Sequence, residues 1–416
     1  MSDQGAAPFP PLAYQGPSSI PEVALVLELG RTLQECGVSA PTLENALGRL
    51  AQHLDLEGAI YATPTGFLAS LRKEGHHGKT YLIRVDAGQS SLEKLADAEG
   101  LVDQVLQDRL DVATARDHLA RLAARPMRFP PWLQVLAYGM ASMGMAVIFG
   151  GGWREVLLGT LIGLLVGAAA QLAGRRAGLA RLTPLLGGVI SSLGGALLGR
   201  FLPSASHPIL VLSGIIVLVP GLGLLVSMQE LGTGNLVAGT ARLAGTFLVF
   251  LLLAFGVGLG QHLGGAWLVG VPSTAVPLPF WTVAPALALV ALGFLVVFQG
   301  RLEDFAWTLG ACVLAWGAAR LGTEFLGSEA GAGIAALALG AACNQYARRT
   351  RRPGAVLLLP SIMLILPGSV GVRGITMMMH GQTLEGLEAG IHALSVTVAL
   401  MLGLFLANAL VSRRTF

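Results

Sequence analysis

Val219-Pro220-Gly221 interrupts one long apolar stretch and Leu366-Pro367-Gly368 interrupts another, with the two prolines 147 residues apart. Proline removes a backbone donor and clashes with the preceding turn, and glycine admits positive φ angles that other residues avoid. Each break therefore leaves main-chain N–H and C=O groups without ladder partners. In hydrocarbon such groups persist only where they face protein, water or a solute. Free N–H donors at the start of one helix piece suit a carboxylate, and free carbonyls at the end of another suit an ammonium. The candidate solute-binding residues are accordingly Pro220, Gly221, Gly223, Ser227, Pro367, Gly368, Ser369 and Arg373. Gly221 and Gly368 are expected at φ > 0, where the solute can approach the main chain. Arg373 offers a bidentate fork for a carboxylate; its plainer reading is an interfacial arginine with its head in water.

Ionisable groups inside apolar runs are costly and mark function by default. Glu230 and Arg242 bracket Gly234-Asn235 and read as a gate or an ion pair, against the plainer reading of a solvated loop. His392 is the attractive carrier for proton coupling, because its reference pKa of about 6.5 lies in the working range; Glu388, Glu230, Asp304 and Glu303 are the other choices. A lone histidine also reads as a hydrogen-bonded structural residue. The gating or proton-coupling set is thus Glu230, Asn235, Arg242 and His392. Asn344-Gln345 and Ser191-Ser192 read as interhelical glue or as ligands. Cys36, Ser70, His76 and His77 could be imagined in a hydrolase, but no nucleophile elbow, His-Glu-x-x-His or phosphate-binding glycine loop is present. No catalytic activity is expected, and a membrane-anchored hydrolase is kept only as the alternative from a different class. Cys36, Cys312 and Cys343 lack metal-ligand spacing, so neither a metal nor another cofactor is expected.

The elements that position these residues follow from composition. The chain is 53% hydrophobic and 12% charged, with mean hydropathy +0.67, whereas soluble domains carry roughly 25% charged residues. The net charge of +3 is carried by arginines lying between apolar segments, not in a patch, so no nucleic-acid partner is implied. Ten apolar runs follow Trp132, at 132–150, 155–173, 183–201, 207–227, 236–260, 280–299, 304–322, 329–346, 355–378 and 388–411, several near the ~20 residues a membrane helix needs. Arg125 and Arg128, Arg175, Arg176 and Arg181, Arg348, Arg349, Arg351 and Arg352, and Arg413 with Arg414 all fall on one side if the first run starts inside, as the positive-inside rule requires. Both termini are then cytoplasmic and the protein is multi-pass; the resemblance given below implies the cell (inner) membrane.

Upstream, residues 1–20 read as a disordered tail and not a signal peptide. Residues 21–128 read as a cytoplasmic α/β (α+β) domain. Its helices fall over Glu22–Cys36, over Pro41–His53 with Ser39 placed to cap it, over Ser91–Leu106 and over Val112–Ala123. Its strands fall over Ala59–Thr63, Gly66–Arg72 and Thr80–Val85. Five runs per half, at 129–262 and 263–416, make the two halves inverted repeats, because an odd number sends the second half into the bilayer from the opposite face. Arg154 and Arg301, again 147 residues apart, serve as a second landmark of the repeat. The fold class is a polytopic α-helical membrane protein with ten transmembrane helices in two inverted five-helix repeats behind the amino-terminal domain. Paired breaks at corresponding places in such halves mark the binding site of a secondary transporter.

Between about residues 22 and 411 the chain resembles the threonine/serine exporter family in its fused single-chain form. The resemblance rests on Leu29–Cys36-Gly37 with Thr42-Leu43-Glu44, Ala62-Thr63-Pro64-Thr65-Gly66, Leu92-Glu93-Lys94-Leu95, Pro131-Trp132, Phe149-Gly150-Gly151-Gly152-Trp153, Val219-Pro220-Gly221, the run Gly234–Arg242, Leu359-Pro360 and Leu364–Ser369. It implies an exporter of small hydroxy amino acids driven by the proton motive force, with the amino acid, protons and the lipid bilayer as partners. A homo-oligomer is left open. Two-subunit relatives are associated with succinate export, so a dicarboxylate is the alternative solute. Where many members carry an Asn and an Asp after the first Pro-Gly, this chain has Val226 and Glu230.

Overall fold

The computed structural model describes residues 20–85, 91–202, 205–268, 275–350, 352–379 and 381–411. Most of the tail expected at 1–20, together with Arg351, Arg413 and Arg414, lies outside the described residues. Two units separate by their internal contacts: the described residues up to 85 with Asp97–Arg125, and residues 91–96 with those from Pro126 onward.

In the first unit, α1 (Pro21–Glu35) and α2 (Ala40–His53) precede a meander of β1 (Leu56–Thr63), β2 (Gly66–Lys73) and β3 (Lys79–Arg84), and α3 (Leu92–Leu106) and α4 (Val112–Ala124) follow. The strands pair antiparallel in the order β1-β2-β3, with Thr63 opposite Gly66 across the Pro64-Thr65 turn. Apolar residues recur at helical spacing on α1 and α2, so Leu25, Leu29, Leu33, Leu43, Leu47 and Leu50 are buried, and Phe67 of β2 is buried too. Ser39 stands at the N-cap of α2, but its hydroxyl bonds the Thr42 hydroxyl at 2.9 Å and caps no backbone N–H, which corrects the expected role. Asp111 does cap α4, and the Thr114 hydroxyl and N–H hold its carboxylate below the ordinary range.

Glu22 on α1 pairs with Lys73 on β2 at 2.7 Å, and the hydrogen bond from that ammonium lowers the carboxyl pKa from its ordinary 4.5. A lowered folded-state value means the contact contributes in full above pH 4.5 and fades as pH falls through the folded value. The protection factors of α1 amides, that is, exchange corrected for the intrinsic rate at each pH, should therefore fall on acidification below that point, and Glu22→Gln should remove this contribution.

The second unit contains α5 (Pro131–Ile148), α6 (Trp153–Gly174), the short α7 (Ala177–Ala180), α8 (Thr183–Gly199), α9 (His207–Ile215), α10 (Gly221–Gly232), α11 (Leu236–Leu268), α12 (Val283–Val297), α13 (Phe305–Leu326), α14 (Ser328–Thr350), α15 (Ala355–Ile362), α16 (Gly368–Met379) and α17 (Thr383–Leu410). Among the described residues, six segments are long and apolar enough to cross a membrane: α5, α6, α11, α12 with its preceding turn, α13 with its preceding turn, and α17. The protein is therefore multi-pass. α11 runs on to Leu268, so a boundary between residues 262 and 263 falls inside a helix.

Helix ends recur along the chain. α9 and α15 end 147 residues apart, α10 and α16 begin 147 residues apart with twelve residues each, and so do the starts of α11 and α17. α10 and α16 close the same way: Asn235 N–H reaches Glu230 O around Gly234 at φ 84°, and Gln382 N–H reaches Met377 O around Gly381 at φ 82°. The earlier helices recur with a spacing of 149. Gly151 N–H reaches Ala146 O around Gly150 at φ 81°, and Gly300 N–H reaches Leu295 O around Gln299 at φ 54°. A non-glycine residue in that region costs roughly 1–2 kcal/mol. Gln299 is held there by its buried side chain, whose Oε1 accepts the Phe129 N–H at 2.9 Å. At this spacing Arg154 does not correspond to Arg301, so that landmark of the repeat is a coincidence. Arg154 stacks over Trp153, and Arg301 lies 3.5 Å from Glu93.

Small residues set the packing between membrane helices. A Cβ on Gly144 of α5 would sit 2.5 Å from the Ala286 carbonyl of α12, and one on Gly293 of α12 would sit 2.9 Å from the Ala137 carbonyl of α5. The Asn344 amide of α14 donates to the Val411 carbonyl beyond α17 at 2.8 Å, and the Ser191 hydroxyl of α8 to Val211 O of α9 at 2.8 Å. Asn344 and Ser191 thus bridge helices, whereas the buried Ser192 hydroxyl has no hydrogen-bond partner among the described residues. Cys312 and Cys343 are buried and unbridged, as is Cys36.

Candidate functional site

Both Pro-Gly sequences break their helices. Ile216–Pro220 separates α9 from α10, and Met363–Pro367 separates α15 from α16. The breaks lie in the interior: Ile216, Leu225, Ile362, Met363 and Leu366 share one apolar core with Phe294, Leu339 and Leu400. Val219 packs with Leu224, Phe250 and Val372 in a second.

The two breaks touch. A Cβ on Gly221 would lie 3.0 Å from Cβ of Leu366, and one on Gly368 would lie 3.4 Å from Cα of Gly221 and overlap Cγ1 of Val219. Neither glycine adopts positive φ, which corrects the expectation. Each opens a helix with ordinary angles, and what the missing side chain permits is the main-chain crossing itself.

The crossing concentrates unpaired backbone groups. Gly221 N–H closes on Val219 O at 2.9 Å, Leu224 N–H on Pro220 O at 3.2 Å and Gly371 N–H on Pro367 O at 3.1 Å. Among the described residues the N–H groups of Leu222, Gly223, Gly368, Ser369 and Val370 have no acceptor, and the carbonyls of Ile216–Leu218 and Met363–Leu366 have no donor. Two helix starts, each with a partial positive charge, thus meet beside two helix ends with free carbonyls.

The other expected residues divide. Ser227 is buried and donates to Leu224 O at 2.7 Å. Gly223 faces α11, where a Cβ would sit 2.6 Å from Thr246 Oγ1, so its small size serves helix packing. Arg373 is exposed on α16 and has no ion-pair partner among the described residues. Glu230 and Arg242 form a bidentate fork, with Nε to Oε2 and Nη2 to Oε1 both at 2.9 Å. Glu230 is 0% exposed, so the solvated-loop reading does not hold. The turn around Gly234 folds α11 back on α10 and brings the pair together, and the Asn235 amide reaches Thr233 Oγ1 at 3.3 Å. In the second half Met377 and Ala389 stand at the corresponding positions and no such pair exists. His392 Nδ1 lies 2.9 Å from Oε1 of Glu329, and both side chains are partly exposed.

Two buried carboxylates escape the sequence reading in whole or in part. Glu155 is absent from it, and Asp304 enters only as a proton carrier. The signal in the sequence is limited to a glycine and an acidic residue four positions on, Gly151 with Glu155 and Gly300 with Asp304, at a common spacing of 149.

Comparison with known proteins supplies the lineage. A family model described as "Putative threonine/serine exporter" matches residues 24–264, and a second, "Threonine/Serine exporter, ThrE", matches residues 283–410. The chain is 27% identical to a "Threonine/serine exporter" of Corynebacterium glutamicum, over 77% of this chain and 67% of that protein. It is 26% identical to a "Probable threonine/serine exporter" of Mycobacterium tuberculosis, over 80% and 65%. It is 24% identical to a "Pheromone-regulated membrane protein 10" of Kluyveromyces lactis, over 91% and 42%. The chain spans about half the length of the first fungal relatives it matches, at 48% and 44%. No solved structure matches.

Proposed function

Because the chain belongs to the threonine/serine exporter family, we propose that it is a secondary active exporter of threonine and serine whose solute binds where the two Pro-Gly breaks cross. The family is one of transporters and not of enzymes. Export is driven by the proton motive force across the inner membrane, with both termini cytoplasmic.

The observation that carries this reading is the contact between two broken helices whose free N–H and C=O groups converge. A zwitterion needs an anionic and a cationic subsite, and these are available without a buried full charge. The starts of α10 and α16 hold the carboxylate, and the carbonyls after α9 and α15 hold the ammonium. Ten crossings result when α8, α14 and the two broken pairs are added to the six long segments. Five crossings per half make the repeats inverted, with the α5–α12 contact as their pseudo-twofold interface. Pro220, Gly221, Pro367, Gly368 and Ser369 line the crossing. Glu230 and Arg242, with Asn235 in the turn between them, gate its cytoplasmic end. His392 with Glu329 lies towards the outer face, where a proton enters.

A dicarboxylate is the second reading, favoured by one feature: two equivalent helix starts plus the unpaired Arg373 suit two carboxylates. Counterflow in proteoliposomes loaded in parallel with labelled threonine, serine and succinate separates them. We expect exchange of threonine and serine, and net efflux of both that slows when a protonophore collapses an imposed proton gradient. Exchange of succinate alone would transfer the proposal to the second reading.

A further inference from the structure

Glu155 and Asp304 are buried to 2% and 3% exposure and stand 149 residues apart, the spacing shared by Gly144 with Gly293 and by the closing turns of α5 and α12. Glu155 lies in the first turn of α6. Its Oε2 accepts the Gly152 N–H at 2.8 Å, an ordinary capping contact, but its Oε1 accepts the Ser206 N–H at 2.7 Å. Ser206 is the N-cap residue of α9, the first piece of the first broken helix. Asp304 immediately precedes α13, and its Oδ1 accepts from Nη1 of Arg352 at 2.6 Å and from the Tyr346 hydroxyl at 3.0 Å. Arg352 stands in the segment that enters α15, the first piece of the second broken helix. Each carboxylate therefore fastens the entry of the broken helix in its own half. Burying a carboxylate is costly unless its lone pairs are satisfied, and capping alone would not require the second attachment, 51 residues away in the case of Glu155.

We propose that Glu155 and Asp304 are paired positioning residues of alternating access, each holding closed the end of a broken helix at its own membrane face. The proposal rests on the inverted-repeat reading above, which sets the starts of α6 and α13 on opposite faces. Neither residue touches the crossing; each acts through α9 or α15. Releasing one latch favours the state open on that face. An amide of the same size releases it: Glu155→Gln turns an NH₂ group towards one of two N–H donors, and Asp304→Asn removes the ion pair.

The test reads accessibility and needs no solute. A single reporter, Ser369→Cys, is placed in the full chain with Cys36, Cys312 and Cys343 replaced by alanine. Labelling by a membrane-impermeant maleimide is then timed from each side of sealed, oriented vesicles. Glu155→Gln should raise the outside-to-inside rate ratio by about fivefold or more, and Asp304→Asn should lower it comparably, the scale of ordinary coupling between sites. The double variant should return towards the parent ratio, because opposed biases cancel while damage to the fold accumulates. Should Glu155→Gln fail to insert, Glu155→Asp should give a smaller shift in the same direction. Shifts of both single variants in one direction, or no shift in inserted protein, overturn the proposal. A chain that moves neither threonine nor serine would end the threonine/serine reading and leave this measurement decisive.

Discussion

Valine at position 368 should abolish transport while leaving the protein inserted and monodisperse. The added Cβ would overlap Cγ1 of Val219 and sit 3.4 Å from Cα of Gly221, so the two breaks must separate before the side chain fits. A separation of about 1 Å removes the convergence on which the site depends, and misplacements of that size cost about a hundredfold in comparable chemistry. Overpacking of this kind costs about 1–3 kcal/mol in stability, which a membrane bundle tolerates. Gly221→Val should act likewise, whereas Gly221→Ala, with its Cβ 3.0 Å from Leu366, should retain part of the activity. Gly163 provides the contrast. A Cβ there would sit 3.0 Å from the Tyr138 carbonyl and overlap the Ser142 side chain, inside the α5–α6 packing. Gly163→Val should therefore lose expression before it loses specific transport. Export assays beside size-exclusion profiles of the three valine variants decide the matter; normal transport by the Gly221 and Gly368 variants would place the solute elsewhere.

Removing the guanidinium of Arg242 should strongly destabilise the membrane unit. Glu230 is fully buried and both its oxygens are engaged by Arg242. Arg242→Ala leaves that carboxylate buried without its counter-charge, a change that typically costs about 3–5 kcal/mol. Arg242→Lys should recover part of this, since it restores charge but not the planar fork. The informative variant is Glu230→Gln with Arg242→Gln, which removes both charges together. If the pair only holds α10 to α11, the double variant should regain both thermal stability and transport. If it gates the crossing, stability should return and export should not, and the second outcome is expected.

How far the sequence foretells this architecture depends on which interactions are local. The six segments long and apolar enough to cross a membrane each fall on an expected apolar run, although α11 continues eight residues past the expected end, because the bilayer imposes its composition on each ~20-residue stretch separately. The breaks are equally readable, since Pro-Gly disrupts a helix whatever surrounds it. Partnerships over distance are not. Glu230 and Arg242 are twelve residues apart, and only the left-handed turn at Gly234 converts that spacing into a fork. Glu155 looks like a loop charge because its second partner, Ser206, lies across an intervening helix. The glycines at the breaks are expected to be special in φ, yet they are special in what lies opposite them, which no single segment encodes.

The reciprocal approach of Gly144 to the Ala286 carbonyl and of Gly293 to the Ala137 carbonyl has a consequence for biogenesis. On the inverted-repeat reading proposed above, such a contact is pseudo-isologous: each half offers the surface that the other half recognises. During synthesis the first half reaches the membrane while α12 has yet to emerge, and its α5 face can meet the α5 face of another nascent copy. Covalent linkage resolves the competition, because a tethered α12 arrives at an effective concentration in the millimolar range. Neighbouring copies in the membrane must exceed that figure to win. Strong overexpression should therefore favour dimers joined through α5, an assembly error that follows from the proposed relation of the two halves.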